Sequence, residues 1–183
     1  MAASNFRVID LDNKDGATQP TAPAFPDTPP TYANTFKDRI EALCGKHGID
    51  GPFKSALFKF SECHIITLLD DSGSMNANVD GTKNTRWDEL KTFVDNLLEF
   101  SRVFDPLGMD MRFLNRRGKE NITIADDVSA LFSNPPRGGT PLVTAIDKIY
   151  NLYKNMNKQK VLFIATDGEP DDELALGRLR DES

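Results

Sequence analysis

The chain predicts an α/β fold: a doubly wound, mainly parallel sheet with helices on both faces. Two apolar runs carry the strand half of that expectation. HIITLL at His64 to Leu69 and KVLFIAT at Lys160 to Thr166 are short, lack strict alternation, and each leads directly into an aspartate. Central strands covered on both faces read this way. The helix half comes from stripes of apolar residues at helical spacing. Trp87, Leu90, Phe93, Val94, Leu97 and Leu98 form one, and Leu142, Ala145, Ile146, Ile149, Tyr153 and Met156 form another. Each stripe suits burial of one helix face against a sheet, and a right-handed winding is the economical way to join such units.

The elements follow in order. Residues 1–33 are rich in proline (Pro20, Pro23, Pro26, Pro29, Pro30) mixed with Asp, Thr and Ala, so a disordered or loosely docked arm is expected. Phe6, Val8, Ile9 and Leu11 offer the alternative of an accessory strand or a short linear motif. Residues 34–60 read as a helical cover for the sheet. Asn34 to Lys46 presents Phe36, Ile40 and Leu43 on one face, and a second short run begins at Gly51-Pro52. Residues 61–183 hold the α/β domain. There, Thr85 with Asp88 resembles a capping box, Met109 to Leu114 is a strand candidate, and a weak strand near Ile122 precedes a short helix through Val128, Leu131 and Phe132. Thr140 and Pro141 are a natural N-cap and first-turn residue for the next helix.

Composition narrows the function. A chain of 183 residues with 39% hydrophobic content supports one two-sided core. The net charge of -6 favours solubility and argues against nonspecific nucleic-acid binding. Arg116, Arg117 and Lys119 are expected on an exposed turn and not in a phosphate-binding patch. Cys44 and Cys63 have no zinc spacing, and with no secretory signal at the start they fit a reducing, cytoplasmic setting. The acceptor Asn121-Ile122-Thr123 is then expected to stay unglycosylated. No run of about 20 apolar residues predicts a membrane span. His47 and His64 are assigned structural or surface roles.

The chemistry concentrates where the first strand ends. Asp70, Ser72 and Ser74 place three hard oxygens at i, i+2 and i+4, with Gly73 giving the loop freedom to curl. In open parallel sheets the carboxyl ends of the strands are where ligands usually bind. No activated base lies nearby in sequence, so the spacing suits a divalent cation better than a nucleophile. Magnesium takes roughly six ligands at about 2.1 Å and keeps several waters. Two distant segments are placed to contribute further oxygens: Thr140 in PPRGGTPL, and Asp167 in KVLFIATDGEP. Plainer readings exist for each: a capped turn at Asp70 to Ser74, a helix cap at Thr140, and an ordinary strand exit at Asp167-Gly168. Asp71, Glu169, Asp171 and Asp172 are read as solvated acids that make the rim negative.

Taken together, DDSGSM at Asp70 to Met75, GGTPL at Gly138 to Leu142 and ATDGEP at Ala165 to Pro170 resemble the three elements of the metal-ion-dependent adhesion site of a von Willebrand factor type A domain. The likeness covers about residues 62 to 172 and is closest to the intracellular type, which carries FLN, here Phe113 to Asn115. It implies a Rossmann-like wound sheet and a Mg2+ ion, with Mn2+ or Ca2+ as substitutes. It also implies metal ligands at Asp70, Ser72, Ser74, Thr140 and Asp167, and a protein partner that offers Asp or Glu to the ion. Only 16 residues follow Asp167 (183 minus 167), whereas the family continues through two further strands. An open sheet edge, with self-association through it, is therefore expected. The competing classes are a metal-dependent phosphoryl-transfer enzyme and a structural domain that uses no cation. No GxxxxGK loop is present, and DDSGS matches a DxD phosphatase nucleophile poorly, so no enzyme activity is expected.

Overall fold

A computed structural model describes residues 5–10, 30–60 and 63–172. Strand β1 (Asn5–Asp10) is followed by helices α1 (Pro30–His47) and α2 (Gly51–Leu57). The domain proper runs β2 (His64–Leu69), α3 (Arg86–Phe104), β3 (Met109–Phe113), β4 (Lys119–Ile122), α4 (Ala125–Phe132), α5 (Leu142–Tyr153) and β5 (Lys160–Thr166). The sheet order is β1-β5-β2-β3-β4.

The fold is α/β, but the sheet is mixed where a mainly parallel one was expected. Only β2 pairs in parallel, with β3 on one side and β5 on the other. These neighbours are reached through helices, as parallel pairing requires a long crossover. Both flanks turn antiparallel. β4 folds straight back on β3, and β1 runs against β5 from Asn5 opposite Thr166 to Asp10 opposite Val161. The return to β4 depends on Gly118, where a Cβ would fall on the carbonyl oxygen of Met111. The β5 edge that the sequence leaves open is occupied by β1, the accessory-strand alternative for the N-terminal arm. The remaining residues of that arm, 1–4 and 11–29, and the Leu174 to Leu179 segment lie outside the described residues.

Every residue of β2 is buried, and its side chains divide by period two between two cores. Ile65 and Leu69 join Trp87, Leu90 and Val94 of α3, Ile40 of α1 and Val128 of α4. Ile66 and Leu68 join Leu162 and Ile164 of β5 and the Ala145, Ile149 and Tyr153 stripe of α5. Helices on both faces therefore explain why the run lacks polar alternation. The capping box forms as expected: the Thr85 hydroxyl accepts from the Asp88 amide, and the Asp88 carboxylate accepts from the Thr85 amide. α1 and α2 cover one face, and Phe36 rests edge-on against Phe58. Cys44 and Cys63 are both buried and free. No helix among the described residues is long and apolar enough to cross a membrane.

A buried polar network closes the amino-terminal end of the strands. The His64 ring stands between two carboxylates, with Nδ1 3.1 Å from Asp105 Oδ2 and Nε2 3.0 Å from Asp110 Oδ2. Lys158 donates to Asp105 at 2.8 Å, and Tyr153 donates to Asp110 at 2.6 Å. Burial alone would lower the His64 pKa, but the hydrogen bonds and charges of Asp110 and Asp105 outweigh it and raise the value. Both aspartates are in turn held below their ordinary values, their burial outweighed by hydrogen bonds: from Lys158 and His64 to Asp105, and from His64 and Tyr153 to Asp110. A neutral imidazole donates only once, so deprotonation leaves one buried carboxylate facing a ring lone pair.

The pH dependence follows from these directions. The His64 contribution is fully present below about pH 6.5, the unfolded value, and is lost as pH rises through the raised folded value. The carboxylate contributions are present above about pH 4 and are lost as pH falls through their lowered folded values. Urea midpoints measured across this range are expected to fall on both sides, with the alkaline fall flattened in His64→Gln. Deletion of residues 1–10 is expected to uncover β5 and produce concentration-dependent association in light scattering, absent in the intact chain.

Candidate functional site

The parallel pairing of β2 with β5 sets Leu69 opposite Ala165, and the Asp70 amide donates to the Ala165 carbonyl at 2.9 Å. The two strands therefore deliver Asp70 and Asp167 to one edge of the sheet. After Asp70 the chain turns into a short 3-10 segment, Gly73–Asn76, which the Ser72 amide starts by donating to Asp70 Oδ1 at 2.8 Å. This Asx-type turn brings the next two hydroxyls inward. Ser72 Oγ lies 2.9 Å from Ser74 Oγ, and Ser74 donates to Asp167 Oδ1 at 2.9 Å. Three of the five expected ligand residues thus form one chain of hydrogen-bonded oxygens, and Asp70 joins it through the Ser72 amide.

Thr140, the fifth, is carried by a loop tied to the first. The Gly73 amide donates to the Gly138 carbonyl at 3.0 Å, and the Arg137 amide to the Asp71 carbonyl at 2.7 Å. Asn76 adds a bond to the Pro136 carbonyl at 2.9 Å. Gly138 is needed here for two reasons: its φ is 116°, and a Cβ would meet the Asn115 side chain. Thr140 is buried, but it is not the helix cap. α5 begins at Leu142 with Pro141 in the cap position. Its first amides are satisfied from a distance, since the Asp172 carboxylate accepts from Val143 at 3.1 Å and Thr144 at 2.8 Å. Asp172 has its pKa lowered, these backbone hydrogen bonds outweighing its burial.

The reading of the neighbouring acids as solvated holds poorly. Asp71 is 1% exposed and accepts from the Asn115 amide at 2.8 Å and from Arg116 Nε at 2.7 Å. Asp171 accepts from the Thr140 amide, and its own amide donates to the Thr140 carbonyl at 3.0 Å. Arg116 is therefore no member of a free basic turn: it neutralises Asp71 and lies over the Trp87 ring at 5.1 Å and the Phe113 ring at 5.3 Å. Glu169 alone of these acids is left exposed without a hydrogen bond or ion pair among the described residues. The physical reason is local: loops crossing a strand edge leave backbone amides unpaired, and carboxylates are the strongest acceptors for them.

Three further residues, none assigned a role in the site from sequence, partner it. Thr166 donates to Asp70 Oδ2 at 2.6 Å, so both Asp70 oxygens are engaged. Asn115 spans the two loops, donating to Asp71 at 3.1 Å and to the Gly139 carbonyl at 2.8 Å. Arg86 forms an ion pair with Asp167 Oδ2. Asn115 belongs to the FLN element of the resemblance, whereas nothing in spacing alone pointed to Arg86 or Thr166.

The donor set of three hydroxyls and two carboxylates is all hard oxygen, the chemistry that suits Mg2+, Mn2+ or Ca2+. Among the described residues no group of three or more His, Cys, Asp or Glu is arranged to hold a metal ion, and a set with two carboxylates does not require one. No family model, curated protein or solved structure matches the chain.

Asp71 is expected to be structural. Asp71→Ala takes the acceptor from Arg116 Nε and from the Asn115 backbone amide, and a loss of about 3 kcal/mol in urea denaturation is expected.

Proposed function

We propose that the chain is a divalent-cation-dependent protein-binding module of the von Willebrand factor type A kind, with a doubly wound, Rossmann-like domain. Asp70, Ser72, Ser74, Thr140 and Asp167 are its metal ligands, and an Asp or Glu of a partner protein completes the shell. The observation that carries this reading is the oxygen chain from Ser72 through Ser74 to Asp167, with Asp70 at its root, at the carboxyl edge of two adjacent parallel strands. An ion held largely by neutral hydroxyls keeps most of its positive charge and so attracts an incoming carboxylate. The two free, buried cysteines support a reducing, cytoplasmic setting.

Calorimetric titration of the folded chain with Mg2+ is expected to show saturable binding at one site. Asp70→Ala and Thr140→Ala are each expected to weaken it at least about tenfold, equivalent to about 1.4 kcal/mol. A folded protein that takes up no ion either as the wild type or with Arg86 replaced by Gln would leave the motif a structural remnant. Loss of binding in neither variant would move the ion elsewhere.

A further inference from the structure

The Asp167 side chain is 7% exposed, and both of its oxygens are engaged, Oδ1 by the Ser74 hydroxyl and Oδ2 by Arg86. Arg86 is the first residue of α3, where the helix dipole disfavours a cation and where the other charges of the first turn, Asp88 and Glu89, are acidic. Local helix energetics therefore do not account for the arginine. Its partner is the tertiary contact with Asp167, 81 residues away in sequence.

The guanidinium also has somewhere to go. Its side chain is 34% exposed and borders a cavity of about 330 Å³ lined by Met75, Glu89, Leu90, Phe93 and Asp167. Glu89 lies one helical turn along, at i+3, the spacing at which an arginine and a glutamate meet on a helix surface. From these observations we propose that Arg86 is a selectivity latch, a tethered cation that holds Asp167 until a divalent ion displaces it toward Glu89. The latch rests on the metal-binding reading above and adds a residue that sets which ions enter.

The selectivity is electrostatic. Sodium or potassium carries the same unit charge as the guanidinium and gains no Coulomb advantage by replacing it, and neither is tethered. A divalent ion doubles the attraction to Asp167 at equal distance and in addition recruits Ser72, Ser74 and Asp70. Arg86 is thus a positioning residue: it keeps the buried carboxylate neutralised and oriented before the ion arrives, and its pair energy is a common threshold that a weakly held monovalent ion does not clear and a divalent ion does.

The test is Mg2+ calorimetry on the wild type, Arg86→Gln, Arg86→Lys and Asp70→Ala, together with NMR of the arginine Nε–Hε signals of the wild type during the same titration. Arg86→Gln is expected to bind Mg2+ about fivefold to tenfold more tightly, and Arg86→Lys within about twofold of the wild type. The Arg86 Nε–Hε signal is expected to shift in step with ion occupancy in the wild type. Equal or weaker Mg2+ binding by Arg86→Gln overturns the latch, as does an Arg86 signal that stays fixed at saturating Mg2+; the second outcome decides the matter even if the glutamine variant fails to fold. Binding that depends on Asp70 but not on Arg86 removes the latch and leaves the metal site standing. Binding by Arg86→Gln alone supports the latch in its strongest form, and binding by neither protein removes both.

Discussion

Six residue pairs hold β2 alongside β5 in parallel register, from His64 opposite Lys160 to Leu69 opposite Ala165, and the site depends on that pairing. A parallel pair brings two carboxyl ends to the same edge, so two apolar runs distant in sequence end in aspartates at that edge. An antiparallel pairing would have put Asp70 and Asp167 at opposite ends of the sheet. A register slip of one residue would have turned every side chain of the run to the other face. The register is fixed by burial on both sides. Ile65 and Leu69 are committed to the core beneath α3, and Ile66 and Leu68 to the core beneath α5.

Placed on that frame, the loops are held by charge as much as by packing. Each acid at the rim except Glu169 has a particular counterpart: Asp71 with Arg116, Asp167 with Arg86, Asp171 with the Thr140 amide, and Asp172 with the first amides of α5. Such pairing removes the mutual repulsion that five or six unpaired carboxylates would create. It also ties the loop after β5 to the start of α5, so the three motif segments form one connected unit and not three independent turns. Arg116 contributes twice, neutralising Asp71 and covering the face of Trp87, whose indole nitrogen donates to the Phe132 carbonyl at 3.2 Å.

The opposite end of the sheet has its own polar lock. His64 opens β2, Asp110 lies in β3, and Tyr153 ends α5, so the network joins the strands to the helix that packs on their far face. Arg112 extends it, donating to the Tyr153 hydroxyl from Nε at 3.0 Å. Burial and the hydrogen bond to Asp110 raise the Tyr153 pKa, which keeps the phenol a donor throughout the physiological range. The protein therefore stabilises its strand starts with a saturated ionic network and leaves the hydroxyl-rich, more open arrangement to the strand ends.

Much of this was legible in the residues. Apolar runs ending in acid, helical stripes and the Thr85–Asp88 box determine the strands, the buried faces and the start of α3, because these features depend on neighbours within a few positions. The grouping of Ser72, Ser74 and Asp167 at one edge follows from the same runs once their parallel pairing is granted. Other features needed the folded chain. Thr140 sits in a sequence suited to a cap, yet Asp172 takes that role because the loop after β5 passes the open end of α5. Acids that look solvated in sequence are paired, and a strand from the N-terminal arm closes the β5 edge and makes the sheet mixed. Arg86 on Asp167 and His64 between two aspartates belong to the same class. Spacing along the chain determines what a segment can form, whereas an ion pair between residues 81 positions apart exists only where packing brings two surfaces together.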